Sequence, residues 1–264
     1  MKKVFALVLS VILLAAALAG CKGKSTAKND VDVITTNGKI VIGISDNKPM
    51  NYKDKGSDQW IGFDAELAAA AAEKLGVKAE FKVIDMNNKF IELNTRSVDC
   101  IWDGITIRDE VEKEASVTNA YASNSQVAVV KSSLASKIKT VDNLKSQKEL
   151  TVAVVTNSSG ENVAKENGFN YISVGAQSDA LACVNSGEVK AAIIDSTSAA
   201  ALVGKGTNFK SLAATVVLSE EQYGVVCRKG SDLPKRLNSI LEQLKEDGTM
   251  KALSDEYGVE LIEN

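Results

Sequence analysis

The stretch Val98 to Val111, V-D-C-I-W-D-G-I-T-I-R-D-E-V, restricts the fold more than any other part of the chain. A run of apolar or small residues reaches Trp102, and Asp103, Gly104 and Thr106 then break it. This is the pattern of a short buried strand ending in a polar loop, with its backbone accessible at the glycine. Val189 to Ser196, V-K-A-A-I-I-D-S, repeats the layout and ends at Asp195 and Ser196. In open α/β sheets, ligands sit just beyond the carboxyl ends of such strands. Two such ends, about 90 residues apart, predict two small lobes facing one cleft.

The flanking sequence supports that expectation. Lys39 to Ile44 reads as a buried strand, followed by the loop Ser45-Asp46-Asn47-Lys48-Pro49-Met50-Asn51-Tyr52. Asp64 to Leu75 is an alanine-rich helix with an acid at its start and Gly76 at its end. A strand over 77–84, a helix over 87–95 and the Val98 strand complete a β-α-β-α-β order, the unit of a parallel sheet. The pattern restarts at Thr151 to Val155, whose loop Thr156 to Glu161 opens a helix that Gly168 stops. Ser158 and Ser159 at that helix start suit either N-capping or an anion ligand. Asp195 likewise suits either capping of the helix that follows or a ligand contact. The stretch 222–228 reads as a strand returning to the first lobe. Residues 232–257 read as two closing helices, broken near Asp247-Gly248.

Composition removes several function classes. The 264 residues include no histidine, which eliminates the commonest general base and the commonest metal ligand. A formal charge of −3 is a poor match to nucleic-acid binding, so no nucleic-acid partner is expected. No cysteine spacing resembles a zinc site, and neither metal nor cofactor is expected. Cys100, Cys183 and Cys227 sit in apolar settings and read as buried free thiols, with a Cys100–Cys227 pair left open.

Residues 1–21 begin Met-Lys-Lys, continue as an apolar run and end Leu18-Ala19-Gly20-Cys21. That is a secretory signal too short for a comfortable membrane span. Its end resembles the bacterial lipobox, in which the cysteine becomes the lipidated first residue; this makes Cys21 the expected lipid attachment point. Residues 22–37 are polar and read as a flexible tether to the fold.

Taken together, the order and spacing of several pieces resemble the family-3 extracellular solute-binding proteins, the polar amino-acid receptors of bacterial ABC importers. The pieces are Gly62-Phe63-Asp64 with Glu73-Lys74-Leu75-Gly76-Val77, Val98-Asp99 through Gly104-Ile105-Thr106-Ile107, Ser159-Gly160-Glu161, Gly187-Glu188-Val189 through Ile194-Asp195, Tyr223-Gly224 with Arg228-Lys229-Gly230, and Leu244 through Thr249. Cys100-Ile101-Trp102 and Pro49-Met50 resemble a Gram-positive branch. The resemblance implies an α/β, two-lobed periplasmic-binding-protein-like fold of type II with two crossover hinge strands. Lobe 1 would comprise residues 38–121 and 225–264, lobe 2 residues 126–219, and the hinge residues 122–125 and 220–224. It implies a small polar ligand, most simply an amino acid or related amine. It also implies an ABC permease with its ATPase as partners, a monomer, and a lipid-anchored location on the extracellular face of the cytoplasmic membrane.

The same resemblance puts the ligand's α-ammonium on Asp195, with Gly104 and Thr106 as further contacts and Ser158 and Ser159 as the anion-binding helix start. Ser45, Asp46, Met50, Trp102 and Asp103 complete the expected ligand contacts, Trp102 as either a stacking platform or a core residue. The family arginine that clamps an α-carboxylate is replaced here by Val111. Arg108 is either its substitute or a surface arginine pairing with Asp109 or Glu112. A sensor or adhesin that no longer serves transport is the alternative function. An enzyme lacks a complete catalytic set.

Overall fold

The computed structural model describes residues 29–262. The leader, Cys21 and the first part of the tether lie outside these residues. The chain opens with helix α1 (Asp30–Asn37), followed by strand β1 (Lys39–Ile44), helix α2 (Phe63–Leu75), β2 (Lys78–Val83), α3 (Lys89–Asn94), the short β3 (Cys100–Ile101), α4 (Asp109–Glu114) and β4 (Ala115–Val117). Strand β5 (Ala122–Lys131) then crosses to a second lobe. That lobe adds α5 (Val141–Lys145), β6 (Thr151–Val155), α6 (Ser159–Glu166), β7 (Asn170–Val174), α7 (Gln177–Ser186), β8 (Ala191–Asp195) and α8 (Ser196–Leu202). Strand β9 (Leu212–Tyr223) crosses back, and β10 (Val226–Arg228), α9 (Leu233–Glu246) and α10 (Thr249–Tyr257) close the first lobe.

Each lobe has a five-stranded sheet, ordered β2-β1-β3-β10-β4 in the first and β7-β6-β8-β5-β9 in the second. The apolar runs explain why. In β6 and β8, Val152, Val154, Ala191 and Ile193 pack with Val163 and Ala164 of α6. The alternating residues Ala153, Ala192 and Ile194 pack with Leu181 and Val184 of α7. A strand that is apolar on both faces requires a helix on each side. In the first lobe, Ile40, Ile42 and Ile44 meet Leu67 and Ala71 of α2 together with Leu237 and Ile240 of α9. The small alanines of α2 let that helix lie close to the strands and to the closing helices.

Strands β5 and β9 pair antiparallel along their whole length, from Ala122 opposite Tyr223 to Lys131 opposite Leu212. Isolated bridges from Thr106 to Tyr223 and from Ala122 to Leu261 fasten the same ends to the first lobe. Register shifts at Gln126/Val127 and Ala128/Val129 interrupt the ladder within the second-lobe sheet, where β5 also pairs with β8.

One expected feature is corrected. The sequence predicts a tether through residue 37, but the chain is helical from Asp30. Ile34 is buried in the first-lobe core. Asp30, also buried, pairs with Arg96 at 2.7 Å and Arg228 at 3.2 Å. The polar composition that reads as tether therefore includes an anchored acid. Cys100 and Cys227 are buried and directly opposed on β3 and β10, and both are free thiols, as is Cys183.

The loop after β1 is held by the start of α2. Phe63 and Asp64 donate their backbone N–H groups to the carbonyls of Pro49 and Met50, at 3.0 and 2.9 Å. Gly62 makes that approach possible, with φ of 115° and a would-be Cβ 2.4 Å from the Met50 carbonyl oxygen. Gly62→Ala is expected to cost on the order of 3 kcal/mol. Gly76→Ala, strained in φ but facing open space, is expected to cost about 1 kcal/mol. Urea unfolding of the two variants measures the difference, and equal midpoints would contradict the contact.

Candidate ligand-binding site

The loops that follow β1, β2, β3, β6, β7 and β8 converge on a cavity of about 390 Å³ between the lobes. Its walls include Ser45, Asp46, Asp103, Gly104, Thr106 and Arg108 from the first lobe, and Ser158, Ser159 and Asp195 from the second. A pre-formed cleft of this size with a few convergent polar groups suits a small ligand.

The first-lobe wall rests on two buried carboxylates. Asp103 accepts from the backbone N and Oγ of Ser45 at 3.0 and 2.6 Å, and from Asn51 Nδ2 at 2.7 Å. Burial pushes its carboxyl up to about 7. Asp64, at the start of α2, accepts from Tyr121 Oη at 2.8 Å and from the Gly104 backbone N at 2.6 Å. Burial pushes it up to about 8. Asp64 thereby fixes the glycine that follows Asp103.

Asp195 occupies the N-cap position of α8, but its side chain makes no capping bond. Its carboxylate instead accepts from Asn124 Nδ2 at 3.0 Å, from Gln177 Nε2 at 2.5 Å and from Gln126. Burial, then the nearby Glu221 carboxylate, push it up to about 6. Neutral amides orient it, no cation among the described residues pairs with it, and it lines the cavity. Ser158 does cap, accepting from Glu161 N at 3.2 Å.

Glu221, on the crossing strand β9, was not singled out by its sequence. Its carboxylate accepts from Thr106 Oγ1 at 2.9 Å, Gln126 Nε2 at 3.1 Å, Asn124 Nδ2 at 3.2 Å and Ser159 Oγ. It thus joins both lobes and takes the hydroxyls of Thr106 and Ser159. Further bonds cross the cleft. Gln177 Nε2 donates to Asn47 Oδ1 at 3.2 Å, Ser198 Oγ to the Lys48 carbonyl at 2.9 Å, and Asn157 Nδ2 to Asn87 Oδ1 at 2.7 Å.

Arg108 does not pair with Asp109 or Glu112. It lines the cavity and donates at 3.4 Å to the carbonyls of Ser158 and Asn157 in the other lobe. Its Nε is buried with no partner. Val111 packs inside the first lobe with Ile84, Leu93 and Val98.

Two expected contacts do not reach the cavity. Met50 is wholly buried, and Trp102 is 1% exposed within the first-lobe core. Trp102 packs on Tyr121 with ring centroids 6.0 Å apart. Each lies beside a loop, and its chain direction turns the side chain inward. Lys89, Asn47, Gln126 and Gln177 line the cavity but were missed. Lys89 and Gln177 open helices just beyond the carboxyl ends of β2 and β7, so the strand-end rule applied to every strand would have found them.

The two lobes, the crossing strands and the charged cleft are those of a solute-binding protein. Residues 40–260 match the family model of bacterial extracellular solute-binding proteins, family 3. The chain belongs to that family. The ABC transporter glutamine-binding protein GlnH of Bacillus subtilis (strain 168) is 31% identical over 265 residues, covering 94% of this chain and 94% of its own. The L-cystine-binding protein TcyJ of Escherichia coli (strain K12) is 28% identical over 251 residues, covering 93% and 92%. The structure of an ABC uptake transporter substrate binding protein from Streptococcus pneumoniae with bound histidine matches with a TM-score of 0.78 at 26% identity, covering 88% of this chain and 97% of that one. These are binding proteins, and this chain is a binding protein of the same kind rather than an enzyme.

Proposed function

We propose that the protein captures an amino acid or a related amine outside the cell and delivers it to an ABC permease and its ATPase. In this reading, Asp195 receives the ligand's ammonium and Arg108 its carboxylate. Ser45, Asp46, Asp103, Gly104, Thr106, Ser158 and Ser159 shape the cavity around it. The observation that carries the reading is the presence in one cavity of a carboxylate, Asp195, with no cation partner among the described residues, and of a buried guanidinium nitrogen, Arg108 Nε, with no partner among them. A zwitterion satisfies both. Closure is a rotation of the lobes about residues 122–125 and 220–224, and Glu221 holds the closed arrangement. The protein acts as a monomer, tethered to the membrane by a lipid on Cys21.

Calorimetric titration of the full chain with amino acids and their decarboxylated amines tests this. Micromolar or tighter binding of an amino acid is expected, weakened at least about tenfold in Arg108→Ala. Binding of amines alone would remove the carboxylate assignment. Silence toward both would favour a sensor or adhesin. Mass spectrometry of the membrane-extracted protein tests the anchor: a diacylglyceryl mass on Cys21 is expected, and an unmodified cysteine refutes it.

A further inference from the structure

The cavity has a second cation that the family resemblance does not assign. Lys89 opens α3 directly after the turn that follows β2, and it lines the cavity. It is 8% exposed, far less than a lysine normally is. Its ammonium donates to the Met86 carbonyl at 3.2 Å and lies 5.1 Å from the centroid of the Phe90 ring. Among the described residues, neither Lys89 nor Arg108 forms an ion pair with a carboxylate. The acid nearby in sequence, Asp85, is engaged by Asn87 N at 2.9 Å and Asn88 Nδ2 at 3.2 Å. Burial, then the neighbouring Arg108 charge, push the Lys89 ammonium down, while Asp85 acts in the opposite direction.

Holding two like charges together away from water is costly unless an anion joins them. Two of the cavity's hydroxyls are committed: those of Thr106 and Ser159 donate to Glu221. The Ser158 oxygen accepts from Glu161 N, so its proton can still be offered to a ligand. Asp103 of the first lobe and Asp195 of the second lie close enough for the charge of Asp195 to raise the Asp103 carboxyl. Among the described residues the cavity therefore holds two cations without an ion-pair partner, and Asp85, the carboxylate that lines it next to Lys89, is hydrogen-bonded to Asn87 and Asn88. A neutral amino acid brings one carboxylate and can form an ion pair with only one of the two cations.

We propose that Lys89 and Arg108 form a two-cation subsite that selects an amino acid with a second acid group, its α-carboxylate on Arg108 and its side-chain acid on Lys89. This rests on the proposed function above and names the ligand class. Arg108 presents a planar fork to the α-carboxylate, whereas Lys89 acts as a point charge that accepts side chains of different reach.

Titration of the full chain with L-glutamate, L-aspartate, L-glutamine and L-asparagine tests the subsite. At least one acid is expected to bind about tenfold or more tightly than its amide. Lys89→Met keeps the length and removes the charge; it is expected to erase that preference while leaving amide affinity within about threefold. Lys89→Arg is expected to retain the preference, and melting curves of both variants establish that they fold. Equal affinity for acids and amides overturns the inference. So does an acid affinity unchanged in folded Lys89→Met, or binding of uncharged amino acids in preference to acids; in these cases the proposed function stands. Failure to bind any of the four overturns the inference as well, and the wider titration with amino acids and amines then decides the proposed function.

Discussion

Asp195→Asn is expected to weaken amino-acid binding by a factor of about a hundred or more, with little change in fold. Asparagine has the shape of aspartate, and its oxygen can still accept from Asn124 and Gln126, while its nitrogen replaces the oxygen that accepts from Gln177. It lacks the negative charge that an ammonium needs inside a closed, partly dehydrated cleft. Removing one partner of a desolvated charge pair costs about 2 to 5 kcal/mol, most of it as faster dissociation. Stopped-flow displacement should therefore show a raised off-rate with a nearly unchanged on-rate. The carboxylate is already oriented by Asn124, Gln126 and Gln177, so binding requires no reorganisation of this wall. An affinity within threefold of the parent would place the ammonium elsewhere, with Asp103 as the alternative acid.

The two-lobed plan was legible because its central strands β1, β6 and β8 are largely buried and each ends abruptly in polar residues. Asp195, Asp103 and Thr106 could be placed for that reason. The same logic does not give side-chain direction. Trp102 lies next to Asp103 in sequence yet turns into the core against Tyr121, and Met50 sits under Gly104, which would place a Cβ 3.4 Å from its side chain. Glu221 was hidden for another reason. Its partners Thr106 and Ser159 lie 115 and 62 residues away along the chain, and nothing local to β9 marks it. Asp30 was misread because a charge in a polar segment carries no sign of its distant partners Arg96 and Arg228. Val111 packs with Ile84 and Leu93, on either side of the segment that carries Lys89, so the apolar pattern there gives no sign of the buried cation between them.

The protein is expected to lose several kcal/mol of stability between pH 5 and pH 8 in the absence of ligand. Burial raises Asp64 to about 8, Asp103 to about 7 and Asp195 to about 6. In the unfolded chain these groups titrate near 4. Below that pH they are protonated in both states, and their contribution is fully present. As pH rises, the unfolded chain releases its protons first, so the folded state binds more protons and stability falls. The slope is on the order of 1 kcal/mol per pH unit for each group still protonated in the fold. Asp195 drops out of the sum near pH 6, Asp103 near 7 and Asp64 near 8. The opposite trend, from acids such as Asp247, which Lys74 holds at about 2, is confined to pH below about 4. Scanning calorimetry of the unliganded protein should thus show a melting temperature that declines from pH 5 to 8. Asp64→Asn should flatten the interval from pH 7 to 8, where Asp64 alone remains protonated. Its amide oxygen can accept from Gly104 N while its nitrogen donates to Tyr121 Oη, reversing the bond that the acid accepts from that hydroxyl. A melting temperature that rises across this range would mean that Asp64 is ionised in the fold, held by its two donors alone. An ammonium ligand opposes the decline by favouring the ionised form of Asp195, so the stabilisation it confers should grow as pH rises through 6.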